Sequence, residues 1–207
     1  MISAPDALRQ LQDGNRRFAA GNEGTVSAAG RAHQAGLSAG QNPFAIVLAC
    51  SDSRVPVELV FDQGFGDLFV IRVAGNIVTP SGIGSIEFAA SQFGTRLVVV
   101  LGHSNCGAVI ATLQELALEQ THRSPNLRAI VDRVRPAIEP ILKAHDHSDQ
   151  DTLTRAAVRA NIIASVKRLS HGSRILEQLI DEGALSIVGA EYSIETGDVE
   201  FFDNPQQ

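Results

Sequence analysis

The sequence has little of what defines several protein classes. Only two of its 207 residues are cysteine, which excludes a disulfide scaffold. No stretch approaches the roughly 18 consecutive apolar residues of a membrane-spanning helix, and the first residues, Met1 to Asp6, lack the basic and apolar regions of a signal peptide. We therefore expect a cytoplasmic protein with reduced thiols and no membrane partner.

Positive charge is also scarce. Lys and Arg number 17 against 23 Asp and Glu, a formal net charge of -6, so a nucleic-acid partner is not expected. The hydrophobic fraction of 44% is ordinary for a globular chain. We expect a single α/β domain over residues 1–207, in which residues 1–43 supply an N-terminal helix and a connecting arm, with Gly21–Asn42 as the connector.

Short apolar runs are typical of strands buried in a parallel sheet. Three of them span Phe44–Ala49, Leu68–Val73 and Leu97–Leu101. A fourth run, Ala184–Gly189, predicts another strand, and Thr196–Asp198 predicts the turn of a terminal hairpin. We predict an α/β fold in which four parallel-type strands and a C-terminal edge strand form a mostly parallel sheet, flanked by helices and preceded by an N-terminal helical arm.

Helical periodicity occupies the segments between these strands. The first helix is expected over Pro5–Phe18, because Ser3 and Asp6 have the spacing of a capping box. Pro136 and Pro140 are expected to break or kink a later helix. The other predicted helices lie near residues 56–61, 81–93, 127–134, 158–169 and 175–180.

Both cysteines follow predicted strands. Cys50 closes the first strand, and Cys106 lies just beyond the third, three residues after His103. Ligands of open α/β sheets bind in the crevice beyond the carboxyl ends of the strands, so these residues can meet there. One buried cysteine alone is most often structural. Two thiolates and an imidazole placed in this way instead predict a Zn²⁺ site with a fourth position open.

Asp52 and Arg54 follow Cys50 at intervals of two residues. Side chains two residues apart on an extended segment point to the same side, so Asp52 is the candidate for the fourth position on the metal. A bidentate pair with Arg54 would hold the carboxylate off the metal, where it can orient a zinc-bound hydroxide. Without the cysteines, a plain surface ion pair would be an equally good interpretation.

Two motifs make the sequence resemble a known family. Cys50–Val55 reads CSDSRV and His103–Gly107 reads HSNCG, and together they resemble the signature motifs of the β-class carbonic anhydrases, in the plant-like branch. The resemblance extends to Gly14–Phe18, Asp67–Arg72 and Gly84–Phe88, and so covers most of the chain.

The resemblance implies reversible hydration of CO₂ to bicarbonate and a proton by zinc-bound hydroxide. It assigns Cys50, His103 and Cys106 as zinc ligands, with Asp52 as a further ligand in a closed state. It also assigns Asp52 and Arg54 as the catalytic dyad that controls the fourth zinc position.

The resemblance further implies the substrate pocket and the assembly. Gln41 would help to hold bicarbonate, Phe69 would be an apolar wall, and Gly107 would present a backbone N–H. Phe88 stands where many relatives have tyrosine, so the pocket lacks one hydroxyl. Val47 stands where the allosteric branch has tryptophan, so that regulatory site is not expected. A homodimer or homotetramer with the pocket at the subunit interface would follow.

Two alternatives remain open at this stage. One keeps the scaffold and changes the substrate, since hydrolases of carbonyl sulfide and carbon disulfide share the resemblance. The other is a non-catalytic zinc or redox protein in which Cys50 and Cys106 only stabilise the fold. The second alternative leaves the Asp52 and Arg54 pair unexplained.

Overall fold

The computed structural model describes residues 2–22, 38, 40–116, 124–144 and 149–202. Most of the connector predicted at Gly21–Asn42 lies outside these residues. None of the described helices is both long and apolar enough to cross a lipid bilayer.

The described strands are β1 (Ala45–Ala49), β2 (Leu68–Arg72), β3 (Leu97–His103), β4 (Ser186–Tyr192) and β5 (Val199–Phe201). The described helices are α1 (Ala4–Ala19), α2 (Val57–Val60), α3 (Pro80–Gln92), α4 (Gly107–Leu116), α5 (Pro125–Ala144), α6 (Gln150–Ser170) and α7 (Arg174–Asp181).

The sheet has the strand order β2-β1-β3-β4-β5. The first four strands are parallel, and β5 pairs with β4 in the antiparallel sense. This confirms the predicted α/β class and the C-terminal edge strand. From β1 the chain moves outward to β2 and later returns to β3 on the other side. The topological switch point, where open α/β sheets bind ligands, therefore lies between the carboxyl ends of β1 and β3.

Both faces of the sheet are covered, which explains why its strands read as continuous apolar runs. On β1, Ile46 and Leu48 face a core formed with α3 to α7. Val47 faces the opposite core, which α1 and α2 cover. All five residues of β1 and all seven of β3 are buried. The central strands are therefore rigid supports for the residues that follow them.

Helix α1 begins and docks through side-chain hydrogen bonds. As predicted, Ser3 caps it by accepting a hydrogen bond from the backbone N–H of Asp6. Near its end, the Asn15 amide donates to the carbonyl oxygens of Val60, at 3.1 Å, and Gly197, at 2.8 Å. These bonds join α1 to α2 and to the terminal hairpin, so the helical arm is fixed to one face of the sheet.

Helix α5 continues through both Pro136 and Pro140, so the expected break is wrong, whereas the expected kink stays a prediction. Both prolines lie on the solvent-exposed side, in line with exposed Asp132. A helical proline leaves the carbonyl four residues earlier without its N–H partner. Here those carbonyls belong to Asp132 and Pro136, on the exposed side, where water can donate hydrogen bonds to them. Val131, Val134 and Ile138 meanwhile hold the opposite side in the core.

Candidate metal centre

The switch point brings the predicted ligands together. Cys50 directly follows β1, His103 is the last residue of β3, and Cys106 directly precedes α4. All three are buried, and their ligand atoms lie within 4.8 Å of one another. The two sulfurs are 4.0 Å apart. Two thiolates bound to one tetrahedral Zn²⁺ would lie about 3.8 Å apart, so the donor set fits this ion.

The imidazole of His103 is oriented for metal binding. Its Nδ1–H donates to the carbonyl oxygen of Ser104, at 2.9 Å. Its Nε2 is buried and has no hydrogen-bond partner among the described residues. The bond at Nδ1 fixes the tautomer and leaves the Nε2 lone pair free. Ser104 is itself held by β4, because its N–H donates to the carbonyl oxygen of Tyr192, at 2.9 Å.

The two thiols lie within hydrogen-bonding distance of each other. The pKa of Cys50 is lowered to about 4, chiefly because Cys106 donates a hydrogen bond to its sulfur. The same bond and burial raise the pKa of Cys106. The backbone N–H groups of Ala108 and Val109, at the start of α4, act in the opposite direction on Cys106. A divalent cation would bind both groups as thiolates, with release of the proton between them.

Asp52 and Arg54 form a bidentate ion pair beside the ligands. Nε and a terminal guanidinium nitrogen of Arg54 donate to the two carboxylate oxygens, at 2.9 and 2.8 Å. The backbone N–H of Arg54 donates to the same carboxylate, at 3.0 Å. These bonds from Arg54 hold the pKa of Asp52 well below its usual range. One carboxylate oxygen lies 3.8 Å from Nε2 of His103, so the pair lies against the ligand cluster.

The four predicted substrate residues occupy two places. Gly107 begins α4 directly after the ligand Cys106, and a Cβ added to it would meet nothing within 4 Å. Gln41 is exposed and lies four residues ahead of β1, at the end of that strand opposite the cysteines. Phe69 pairs in register with Ile46, which puts it about 13 Å along the strands from the level of Cys50.

Phe69 of β2 belongs to an aromatic cluster with residues in and just after α3, at the border of the main core. Its ring centroid lies 6.3 Å from that of Phe88 and 6.1 Å from that of Phe93. Phe88 and Phe93 meet edge to face at 5.6 Å. Phe88 remains 51% exposed. Within one chain, therefore, the structure brings Phe69 and Phe88 to each other and not to the sulfur and imidazole ligands.

Two residues that support the ligands, Arg72 and Gly75, are not among the predicted site residues. Arg72, at the end of β2, donates to the carbonyl oxygens of Cys50, at 3.1 Å, and Asp52, at 2.6 Å. The backbone N–H of Gly75 donates to the sulfur of Cys50, at 3.3 Å. A charged residue at the end of an apolar run was a visible signal for Arg72. Gly75 carried no comparable signal, because its role depends on the path of the backbone.

A buried Cys-His-Cys set at the switch point of a parallel sheet, with an Asp–Arg pair beside it, defines a class of α/β metalloenzyme. Comparison with known proteins identifies the family. The family profile described as carbonic anhydrase matches residues 45–199. A carbonic anhydrase of Mycolicibacterium smegmatis is 41% identical over 194 residues, which cover 94% of this chain and 91% of that protein.

Solved structures agree with this assignment. The β-carbonic anhydrase CcaA superposes with a TM-score of 0.74 at 29% identity, over 98% of this chain and 93% of that one. A tetrameric β-carbonic anhydrase of Sordaria macrospora shares the fold, with a TM-score of 0.75 at 22% identity over 95% and 97% of the two chains. The chain belongs to the β-carbonic anhydrase family.

Proposed function

We propose that this protein catalyses the reversible hydration of CO₂ to bicarbonate and a proton with a resident Zn²⁺. The observation that carries the proposal is the convergence of Cys50, His103 and Cys106 within 4.8 Å. The membership of the chain in the carbonic anhydrase family supports the reaction. Three protein ligands leave one position of a tetrahedral ion open, as catalytic zinc sites require. We further propose a cytoplasmic location, where the two thiols stay reduced.

When bound, Zn²⁺ would lower the pKa of a water molecule in its open position and so supply a nucleophile near neutral pH. We assign to Arg54 the task of holding the carboxylate of Asp52 in a fixed orientation beside that position. Asp52 stays ionised in this pair, and its carboxylate keeps lone pairs that can accept a further hydrogen bond. If Arg54 releases it, the carboxylate is close enough to His103 to become a fourth ligand and close the site.

We assign product binding to the start of α4. The Gly107 N–H belongs to the first turn of this helix, where N–H groups lack partners within the helix. The positive end of the helix favours an anion such as bicarbonate. Gly107 is exposed and has no Cβ to obstruct the approach of a ligand.

We propose that a second copy of the chain completes the pocket. Gln41, Phe69 and Phe88 lie away from the metal ligands of their own chain. Phe69 lies on β2, the edge strand of the sheet within the described residues, and Phe88, which contacts it, is half exposed. A partly exposed aromatic cluster beside an edge strand is suited to burial against another subunit. In a homodimer or homotetramer these side chains would line the site of the partner.

The alternative functions receive no support. The relative and the solved structures described above are carbonic anhydrases, and none of them is described as a hydrolase of carbonyl sulfide or carbon disulfide. A purely structural zinc site fills all four positions with protein ligands. Here the fourth candidate, Asp52, is held by Arg54. The geometry therefore favours an open catalytic site.

The test is stopped-flow CO₂ hydration by the zinc-loaded chain at about pH 8.5, together with zinc stoichiometry. We expect about one zinc per chain and rapid hydration. The variant His103→Ala should lose both, because it removes the only nitrogen ligand of the set. Absence of hydration in a fully zinc-loaded wild-type sample would contradict the proposal. Sulfide release from carbonyl sulfide that is faster than CO₂ hydration would favour the other substrate class.

A further inference from the structure

The sulfur of Cys50 depends on a backbone turn for its hydrogen bond. The donor is the N–H of Gly75 in the turn Ala74–Asn76, which follows β2. Gly75 has a φ of +72°, a conformation that glycine adopts without strain. A Cβ at this position would lie 3.1 Å from the Cβ of Ala108. The conformation of the turn therefore directs the Gly75 N–H toward the sulfur of Cys50.

Two side chains of α6 hold this turn in place. The amide of Asn161 donates to the carbonyl oxygen of Gly75, at 2.9 Å. The hydroxyl of Ser165 donates to the carbonyl oxygen of Asn76, at 3.3 Å. Residues four apart lie on one face of a helix, so both bonds come from the same side of α6. The donors are 2% and 6% exposed, which shields the contacts from water.

The side of α6 that carries these two donors is otherwise apolar. Val158, Ile162 and Val166 make the same side of α6 apolar and bury it in the main core. A buried amide or hydroxyl is costly unless it has a partner. The partners of Asn161 and Ser165 are carbonyls of the turn and not of α6 itself. Their bonds therefore fix the turn relative to the helix and add nothing to the helix's own hydrogen-bond pattern.

We propose that Asn161 and Ser165 are positioning residues for the metal centre. They hold the Gly75 N–H on the sulfur of Cys50, which fixes the position of that ligand and withdraws electron density from it. The inference deepens the proposed zinc-dependent function and rests on it. Both residues act through the backbone of the turn, since their hydrogen bonds go to its carbonyl oxygens.

Two measurements on the metal-loaded chain test this role without using catalysis. The first is the rate at which zinc passes to a chromogenic chelator. We expect Asn161→Leu, which keeps the volume and removes the donor, to release zinc about 10-fold faster than the wild type. Ser165→Ala should increase the rate by a smaller factor, because its bond is longer. The second variant remains informative if the first does not fold.

The second measurement is the absorption spectrum of the cobalt-substituted protein. A hydrogen bond to a thiolate stabilises the filled sulfur orbitals and raises the energy of thiolate-to-cobalt charge transfer. We therefore expect this band to move to longer wavelength in Asn161→Leu and in Ser165→Ala. A general loss of stability would not move the band in this direction.

Ser170→Ala is the matched control. Ser170 is also buried on α6, but its hydroxyl donates to the Val166 carbonyl of its own helix, at 3.0 Å. We expect this variant to keep the wild-type zinc-release rate and cobalt spectrum, whatever its thermal stability. Wild-type behaviour of Asn161→Leu in both measurements would overturn the proposal, as would equal effects of the Ser165 and Ser170 variants. A chain that binds zinc but does not hydrate CO₂ contradicts only the proposed function.

Discussion

Arg54 donates hydrogen bonds to both carboxylate oxygens of Asp52, and one of these oxygens lies 3.8 Å from Nε2 of His103. One ion pair thus lies between solvent and the metal ligands, because the Arg54 side chain is 51% exposed and that of Asp52 is 17% exposed. Exposed ion pairs contribute little to stability. We therefore infer that this pair serves to orient the carboxylate of Asp52, and not to stabilise the fold.

The first prediction concerns the guanidinium of Arg54. In Arg54→Ala the carboxylate of Asp52 loses its anchor and is free to occupy the fourth metal position. We expect CO₂ hydration to fall about 100-fold while the zinc content is unchanged, as measured by stopped flow and metal analysis. Arg54→Lys is the control: it keeps the charge but not the bidentate geometry, so it should restore only part of the rate. Equal rates for wild type and Arg54→Ala would refute the assigned role.

The second prediction concerns Arg72, which holds the backbone of the ligand loop. Its guanidinium bonds the carbonyl oxygens of both Cys50 and Asp52. We expect Arg72→Met to lower the CO₂ hydration rate about 10-fold, because the loop that aims the carboxylate loses two anchors. Arg168→Met on the exposed side of α6 is the matched control and should retain full activity. Equal rates in the two variants would show that Arg72 has no positioning role.

The third prediction contrasts two glycines. Gly75 has a φ of +72°, and a Cβ added to it would lie 3.1 Å from the Cβ of Ala108. A Cβ added to Gly84 in α3 would meet nothing within 4 Å. Gly75→Ala should lower the free energy of unfolding by about 1 to 2 kcal/mol because of backbone strain. Gly84→Ala should raise it by up to about 1 kcal/mol, since alanine favours a helix interior. Urea unfolding of the two variants measures both changes, and the same sign in both would contradict this account.

The fourth prediction is a pH dependence at the C-terminal edge. Arg159 bonds both carboxylate oxygens of Glu200, at 2.8 and 2.7 Å, and these bonds lower the pKa of Glu200 from its ordinary value of 4.5. A carboxyl group with a lowered folded pKa stabilises the fold above its ordinary pKa, and this stabilisation is lost as the pH falls through the lowered value. Both side chains are substantially exposed, so we expect at most about 1 kcal/mol.

The measurement is the free energy of unfolding of Glu200→Gln relative to wild type. The difference should be present at about pH 7 and smaller at about pH 4. Glu195→Gln, at an exposed carboxylate of the same hairpin, is the control and should show little difference at either pH. A Glu200→Gln difference that grows as the pH falls would have the wrong sign for this ion pair.

Much of the architecture was predictable because its signals are local. The apolar runs located β1 and β2 within one residue, and the capping residue Ser3 located the start of α1. Strand β3 continues two residues beyond its predicted end, up to His103. The apolar run ends before Gly102, so hydropathy alone predicts too short a strand. Pairing of Gly102 and His103 with β4 extends it. The prolines of α5 do not break the helix, because the carbonyls that they leave without an N–H partner lie on the side that faces solvent.

The sequence by itself determined the chemistry of this protein: the two thiols and the imidazole, their position after apolar strands, and the Asp52 and Arg54 pair. These follow from residue type and short spacing. Only the tertiary structure decided that Asn161 reaches the turn at Gly75 and that Phe69 and Phe88 lie away from the ligands of their own chain. Such contacts join segments far apart in sequence, and they depend on how helices and strands pack, which no local pattern records.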